Sequence, residues 1–292
     1  MLTLFETYLI SEKRYSEHTV KAYLKDVEAL LEFNGVQYLE EVNELTHHSI
    51  RGWMIDLIER GIDNRSVNRK LSSLRTFFKW AKRGSLVEAD PMIRVKGPKQ
   101  QKRLPEFVKE EELLPQVTDE LFPDTFPGVR DQVMVELFYQ TGIRLSELIG
   151  LKENDVFDTS IKVLGKRKKE RIIPISPQLN ELINHFVKLK RELSFDISCL
   201  IVTDKGNKLY PKFAYRKINF YLSLVTNLSK KSPHILRHTF ATHMLNNGAG
   251  LESLKEILGH ANLSATQVYT HNSFDKLTSI YEQAHPRGFK AK

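Results

Sequence analysis

Pro233-His234-Ile235-Leu236-Arg237-His238-Thr239-Phe240-Ala241-Thr242-His243, then Leu258-Gly259-His260, then Val268-Tyr269-Thr270-His271, are the pieces of this 292-residue chain that decide how the rest is read. Ser232 before Pro233 predicts a helix start, a capping residue followed by a proline at the first helical position. On that helix His234 and Arg237 lie three apart and face one cleft. Asn246-Asn247-Gly248 ends it. Leu251 to Leu258 predicts the next helix, closed by Gly259, with His260 just past its C-terminus. A short helix over 265–269 carries Tyr269. Cationic and proton-carrying groups therefore converge on one phenol, an arrangement suited to holding a phosphate while a tyrosine attacks it. Read locally, the same residues leave other uses open. His234, His238 and His243 invite a metal reading, since His-x-x-x-His has ligand spacing on a helix. The two-His-plus-Glu motif of zinc proteases is absent, and Arg237 among the ligands repels a cation, so no metal is expected.

Working outward, Arg130 to Gln140 predicts a helix with Val133, Met134, Leu137 and Phe138 inward, stopped at Thr141-Gly142. Ile143-Arg144-Leu145-Ser146-Glu147-Leu148 restarts at once, which puts Arg144 at a helix beginning and Glu147 one turn on, on the same face. Taken alone, such a pair reads as a helix salt bridge. The period then changes. Ile161-Lys162-Val163-Leu164 and Arg171-Ile172-Ile173-Pro174-Ile175 predict a β-hairpin. Its tip is basic, with six Lys or Arg against one acid between Lys162 and Arg171. Leu179 to Leu193 predicts a helix, Leu200-Ile201-Val202 a short strand, Phe213 to Leu228 another helix, and Phe274 to His285 a last amphipathic one.

The N-terminal third predicts four amphipathic helices with short joints, a small bundle over residues 1–96. Their apolar stripes are Leu2-Phe5-Tyr8-Leu9, then Val20-Tyr23-Leu24-Val27-Leu30-Leu31, then Ile50-Trp53-Met54-Leu57-Ile58, then Val67-Leu71-Leu74-Phe77-Phe78-Ala81. From Arg60 to Arg103 there are 13 Lys or Arg against Asp63, Glu88 and Asp90. A solvated helix face mixes signs, and this one does not. Arg65, Asn68, Arg69, Arg75 and Lys79 on the fourth helix are therefore candidates for DNA contact. Residues 97–105, with two prolines, a glycine and three basic residues just after Lys96, read as a linker. A new helix is expected near Val108, opening a second domain over 106–292.

Composition excludes some classes. Cys199 is the single cysteine, so no intrachain disulfide forms. No apolar run approaches a membrane span, and the segment from Met1 to Ile10 contains Glu6 and no basic leader. The chain reads as cytoplasmic, without membrane insertion. A net charge of +8 favours an anionic partner without naming one.

Cutting a phosphodiester with a tyrosine makes definite demands. Charge on the non-bridging oxygens is best matched by planar, bidentate guanidiniums, here Arg144 and Arg237. The leaving 5′ oxygen needs a proton, which Lys166 on the hairpin can deliver, with Lys168 and Lys169 beside it. The Tyr269 phenol must lose its proton, with His234 placed to accept it and His260 to donate a further hydrogen bond.

The order Thr141-Gly142-Ile143-Arg144-Leu145-Ser146-Glu147, Gly165-Lys166, His234-Ile235-Leu236-Arg237-His238, Leu258-Gly259-His260 and Tyr269 resembles the tyrosine recombinases over nearly the whole chain. The compact length, the run from Leu258 through His271 and the ending His285-Pro286-Arg287 resemble the Xer branch. The resemblance implies a mainly α fold: an N-terminal four-helix SAM-like core-binding domain and a mostly helical catalytic domain with a small antiparallel sheet. It implies a site-specific recombinase without cofactor, cutting and rejoining double-stranded DNA through a 3′-phosphotyrosyl intermediate, with Glu147 as a brace for the site. It further implies a homo- or hetero-tetramer on a specific target site, with a paralogous recombinase as a candidate partner. Chromosome-dimer resolution at a dif-like site, with a septal DNA translocase as a further partner, would be the setting. An integrase of a mobile element or phage, and a DNA-binding protein without catalysis, are the competing readings. Arg167 stands where relatives often carry a second glycine, and Ala261 where they often carry serine.

Overall fold

The computed structural model describes residues 1–38, 40–99, 106–114, 119–165, 169–195, 197–259 and 271–288. The chain divides into two compact units, Met1–Leu104 and Pro105–Lys292.

The first unit is built on α1 (Leu2–Ser11), α2 (Glu17–Phe33), α3 (His47–Glu59) and α4 (Asn64–Arg83). Each start has a physical cause. Ser16 accepts from Thr19 N, Thr46 from His48 N and Ser49 N, and Asp63 from Arg65 N and Ser66 N, so the side chains satisfy amides that the helix leaves free. The stripe of α4 is fully buried from Val67 to Ala81, and Phe77 meets Phe5 of α1 edge-on at 5.2 Å. Each such side chain contributes about 1.5–3 kcal/mol by leaving water. After α4, Asp90 caps the 3-10 turn Pro91–Arg94. The next residues run back along the helices: Arg75 donates to Val95 O, Asn68 to Pro98 O and Asn64 to Lys99 O. The first residues of the expected linker are thus hydrogen-bonded to α4, while 100–105 lie outside the described residues.

The second unit centres on α5 (Phe126–Thr141), buried on nearly every face, with Arg130, Asp131, Glu136 and Gln140 buried beside its apolar residues. It starts at Phe126 rather than Arg130 because Thr125 accepts from Gly128 N and Pro127 occupies the first turn. It ends at Gly142, whose φ is +58°. A Cβ there would lie 2.5 Å from the Phe240 ring and 2.8 Å from Leu258, so only glycine allows the chain to turn. Then come α6 (Leu145–Gly150), β1 (Val156–Phe157), β2 (Ser160–Leu164) and β3 (Glu170–Pro174), a three-stranded antiparallel sheet in that order, with Val163 opposite Arg171. The remaining helices are α7 (Pro177–Glu192), α8 (Pro211–Val225), α9 (Pro233–Asn246), α10 (Leu251–Leu258) and α11 (His271–Ala284). Helices α7 and α9 pack on α5.

Two local expectations fail. Between Glu106 and Leu114 the chain makes one 3-10 turn, Glu111–Leu113, rather than an α-helix. Val108 is instead held to side chains of α9, its N–H donating to Thr239 Oγ1 at 3.0 Å and its carbonyl accepting from His243 Nε2 at 3.0 Å. Leu200-Ile201-Val202 is buried but forms no strand; only isolated bridges, Lys152 to Cys199 and Val202 to Lys208, flank it. Its backbone is tied down at one further point, where Leu200 N donates to Leu151 O at 2.8 Å.

Candidate active site

Arg144 precedes the first turn of α6. Its backbone N–H donates to Glu147 Oε2 at 2.7 Å and its Nη1 to Glu147 Oε1 at 2.8 Å, the same-face pairing that the three-residue spacing predicts. Arg237 comes from α9. It donates through Nη1 to the Gly142 carbonyl and through Nη2 to Leu258 O at 2.8 Å. Arg144 Nη2 reaches Gly259 O at 3.0 Å. The two arginines thus meet at the end of α10, the helix that leads to His260.

A third guanidinium joins them. Arg171 of β3 grips Glu147 with both terminal nitrogens, at 2.8 and 2.9 Å. Its side chain is almost fully buried, whereas that of Arg144 retains 31% exposure. Reading 162–171 as one basic hairpin hides this residue. The available signal is strand period: Arg171 shares the inward face with Ile173, and a charged residue there needs a buried partner.

Electrostatics follow from this crowding. Burial alone would raise the Glu147 carboxyl, but hydrogen bonds and charge from Arg171, then the Arg144 backbone and side chain, hold it below the ordinary value. Arg237 is pushed down to about 10, first by burial and then by the positive charges of Arg144 and Arg171. It remains charged at neutral pH. Glu147 is one carboxylate among three guanidiniums, and the surplus of positive charge suits an anion.

His234 is exposed one turn before Arg237, and His238 is half-buried. His243 is set apart from them. It is buried, and because Val108 O can only accept, Nε2 carries the proton and Nδ1 accepts from Tyr139 OH at 3.1 Å. Among the described residues no group of three or more His, Cys, Asp or Glu could hold a metal ion. Lys166, His260 and Tyr269 lie outside the described residues. The hairpin base beside Lys166 does abut the cluster: a Cβ on Gly165 would lie 3.4 Å from Arg171 Nη1 and 3.6 Å from Glu147 Oε1.

Of the basic candidates on α4, Arg65, Arg69, Arg75 and Lys79 are all exposed. Arg69 is engaged, donating to both oxygens of buried Asp26 at 2.6 and 2.9 Å. The Asn68 amide is likewise spent on Asn64 O and Pro98 O. Among the described residues, no helix is long and apolar enough to cross a membrane.

Residues 109–276 match the profile of the phage integrase family, and residues 2–84 match its N-terminal SAM-like domain. The chain belongs to the phage integrase family, as a Xer-type tyrosine recombinase. It is 38% identical to tyrosine recombinase XerC of Bacillus licheniformis, over 100% of this chain and 98% of that one. Against XerC of Bacillus subtilis the identity is 37%, over 98% and 96%. The fold resembles that of XerH site-specific recombinase bound to a palindromic difH substrate, with a TM-score of 0.72 at 18% identity over 96% of this chain and 83% of that one. It also resembles a lambda integrase (75–356) dimer bound to a COC′ core site, with a TM-score of 0.69 at 17% identity over 92% and 98%. The resemblance carried by Thr141–Glu147, His234–His238 and Leu258–Gly259 is therefore family membership, and places the chain among enzymes that break and rejoin DNA.

Proposed function

We propose that this recombinase cuts a specific duplex site with Tyr269 and rejoins it to a partner strand, resolving chromosome dimers at a dif-like site in the cytoplasm. The convergence of Arg144 and Arg237 around Glu147 is the observation that carries the site reading. Both guanidiniums keep donors beyond those spent on protein carbonyls and Glu147. Those donors bind the non-bridging oxygens of the scissile phosphate and neutralise charge as it builds. Tyr269 Oη attacks phosphorus while its proton passes to His234. The bond from phosphorus to the 5′ oxygen breaks, and Lys166 protonates that oxygen. His260 adds a hydrogen bond to the phosphate. The product is a 3′-phosphotyrosyl link and a free 5′ hydroxyl. Attack by the 5′ hydroxyl of the partner strand reverses the chemistry, so the link conserves the bond energy and no cofactor is consumed.

Two further assignments belong to this reading. Residues 1–96 form the core-binding domain, with exposed cations on α4 against the DNA backbone, and 106–292 the catalytic domain. Four protomers, of this chain alone or with a paralogue, assemble on two sites, with a septal DNA translocase as the activating partner. Full-length XerC relatives favour this setting over that of a mobile element.

The deciding experiment traps the intermediate on a nicked target duplex. Wild type should form a covalent adduct. Tyr269→Phe should form none while binding the duplex with an unchanged Kd. An adduct persisting in that variant removes Tyr269 as the nucleophile.

A further inference from the structure

Three successive carbonyls at the C-terminus of α10 each take a different guanidinium. Ile257 O accepts from Arg171 Nε at 2.7 Å, Leu258 O from Arg237 Nη2 at 2.8 Å, and Gly259 O from Arg144 Nη2 at 3.0 Å. Carbonyls at the end of a helix have no partner within it, and the helix dipole puts negative charge there. The cations therefore fix the last turn of α10, and the last turn aims the cations.

The second shared anchor is Glu147. Its Oε1 accepts from Arg144 Nη1 and Arg171 Nη1, both at 2.8 Å, and its Oε2 from Arg171 Nη2 at 2.9 Å and Arg144 N at 2.7 Å. Both lone pairs of both oxygens are then in use, so the carboxylate has one orientation. Arg171 is the member common to the two anchors. One edge of its fork holds Glu147, which aims Arg144. Its Nε holds Ile257, the residue before the two carbonyls that receive Arg237 and Arg144. A lysine cannot reproduce this, because a single ammonium lacks the planar fork that meets a carboxylate and a carbonyl together. Buried at 4% exposure, Arg171 is itself closed to a phosphate.

We propose that Arg171 is a positioning residue for strand cleavage: it orients Glu147 and the C-terminal turn of α10, and through them the two arginines that clamp the phosphate. The inference rests on the clamp role given above to Arg144 and Arg237. It goes beyond stability, because a buried ion pair can be exchanged for uncharged groups of similar size with the fold preserved. What such an exchange does not preserve is the aim of Arg144.

The test compares three forms of the full chain on the nicked duplex: wild type, Arg171→Lys, and Glu147→Gln combined with Arg171→Met. For each, the melting temperature, the Kd for the duplex and the single-turnover rate of adduct formation are measured. Arg171→Lys should slow adduct formation about 10–100-fold, the cost of a clamp displaced by a fraction of an ångström to one ångström, with Kd unchanged. The double variant should regain the wild-type melting temperature and remain slow. Recovery of the rate together with the melting temperature would overturn the proposal and leave Arg171 a structural ion pair. So would an Arg171→Lys rate loss matched by an equal loss in binding. Absence of adduct with wild type would be a distinct result, sinking the clamp reading and this inference with it.

Discussion

Asp26 in the first unit and Glu147 in the second are both buried carboxylates gripped by a forked arginine, yet they sit in opposite electrostatic settings. Asp26 receives Arg69 at 2.6 and 2.9 Å, Lys70 at 2.8 Å and the Ser73 hydroxyl at 2.7 Å, tying α2 to α4. Burial would raise its carboxyl, and hydrogen bonds from Arg69, Lys70 and Ser73 more than reverse that. Its cations are comfortable as well. Arg69 is held above its ordinary value by the bond to Asp26, and its side chain keeps 49% exposure to water. Around Glu147 the balance tips the other way. Arg237 is depressed to about 10 by burial and by two neighbouring guanidiniums, and its hydrogen bonds go to neutral carbonyls. Charge that is settled internally holds a fold together. Charge left in surplus inside a partly closed site marks a place for a ligand.

The strongest way to break that contrast is to remove one member from each cluster. Arg237→Gln should slow adduct formation about 10²–10³-fold, the cost of losing a preorganised donor to developing charge. Its melting temperature should hardly move, since relief of like-charge crowding offsets the lost carbonyl contacts. Asp26→Ala should do the reverse, destabilising the first unit by about 3 kcal/mol because a buried pair loses its anion, with the cleavage rate per folded molecule intact. Scanning calorimetry and single-turnover kinetics on the two variants check both. If Arg237→Gln lowers the melting temperature as much as Asp26→Ala, the distinction between settled and surplus charge is wrong.

Acid separates the units further. In the second unit His285 is buried, stacked on Tyr281, and depressed to about 3, first by burial. The unfolded chain binds a proton at this residue near pH 6.5 and the folded unit does not, so its stability is full above about 6.5 and falls as pH drops toward 3, by up to about 1.4 kcal/mol per pH unit. Asp26, with a folded value below 3.8, stabilises the first unit above the carboxylate range, and its contribution fades only as pH falls through that lower range. Between pH 7 and 5 the calorimetric transition of the second unit should therefore drop more than that of the first, the first being the one that Asp26→Ala shifts. His285→Gln should flatten the difference, and parallel decline of both transitions would refute it.

How much of this was readable beforehand depended on sequence distance. Helices declared themselves through apolar stripes and through caps such as Ser16, Thr46 and Asp63, which act within three residues. The Arg144–Glu147 pair was legible for the same reason. Leu200-Ile201-Val202 misled because a short apolar run reports burial, and burial alone does not pair a strand. Arg171 and Arg69 have one thing in common. Each lay in a basic stretch and was counted with it, while its true partner, Glu147 or Asp26, is 24 or 43 residues away. No local spacing connects them, so an arginine that grips a buried carboxylate looks the same as one that faces only water.

The smallest expected effect sharpens that last point. Arg65, Arg69 and Lys79 occupy one helix and were read together as contacts to a DNA backbone. All three are exposed, but Arg69 also holds Asp26 with both terminal nitrogens. If exposed cations on α4 neutralise phosphates, Arg65→Ala and Lys79→Ala should each weaken duplex binding modestly. Each should also lower the slope of log Kd against log salt by about 0.9, one released counterion apiece, without moving the melting temperature. Arg69→Ala should act on the other axis. It leaves Asp26 with Lys70 and Ser73 alone, so the transition of the first unit should fall while the salt slope changes least of the three. Titrations of the target duplex across salt, read beside melting curves, distinguish the roles. Should Arg69→Ala take a full counterion from the slope and leave the melt untouched, its guanidinium serves DNA rather than Asp26, and the first unit, too, carries unsettled charge.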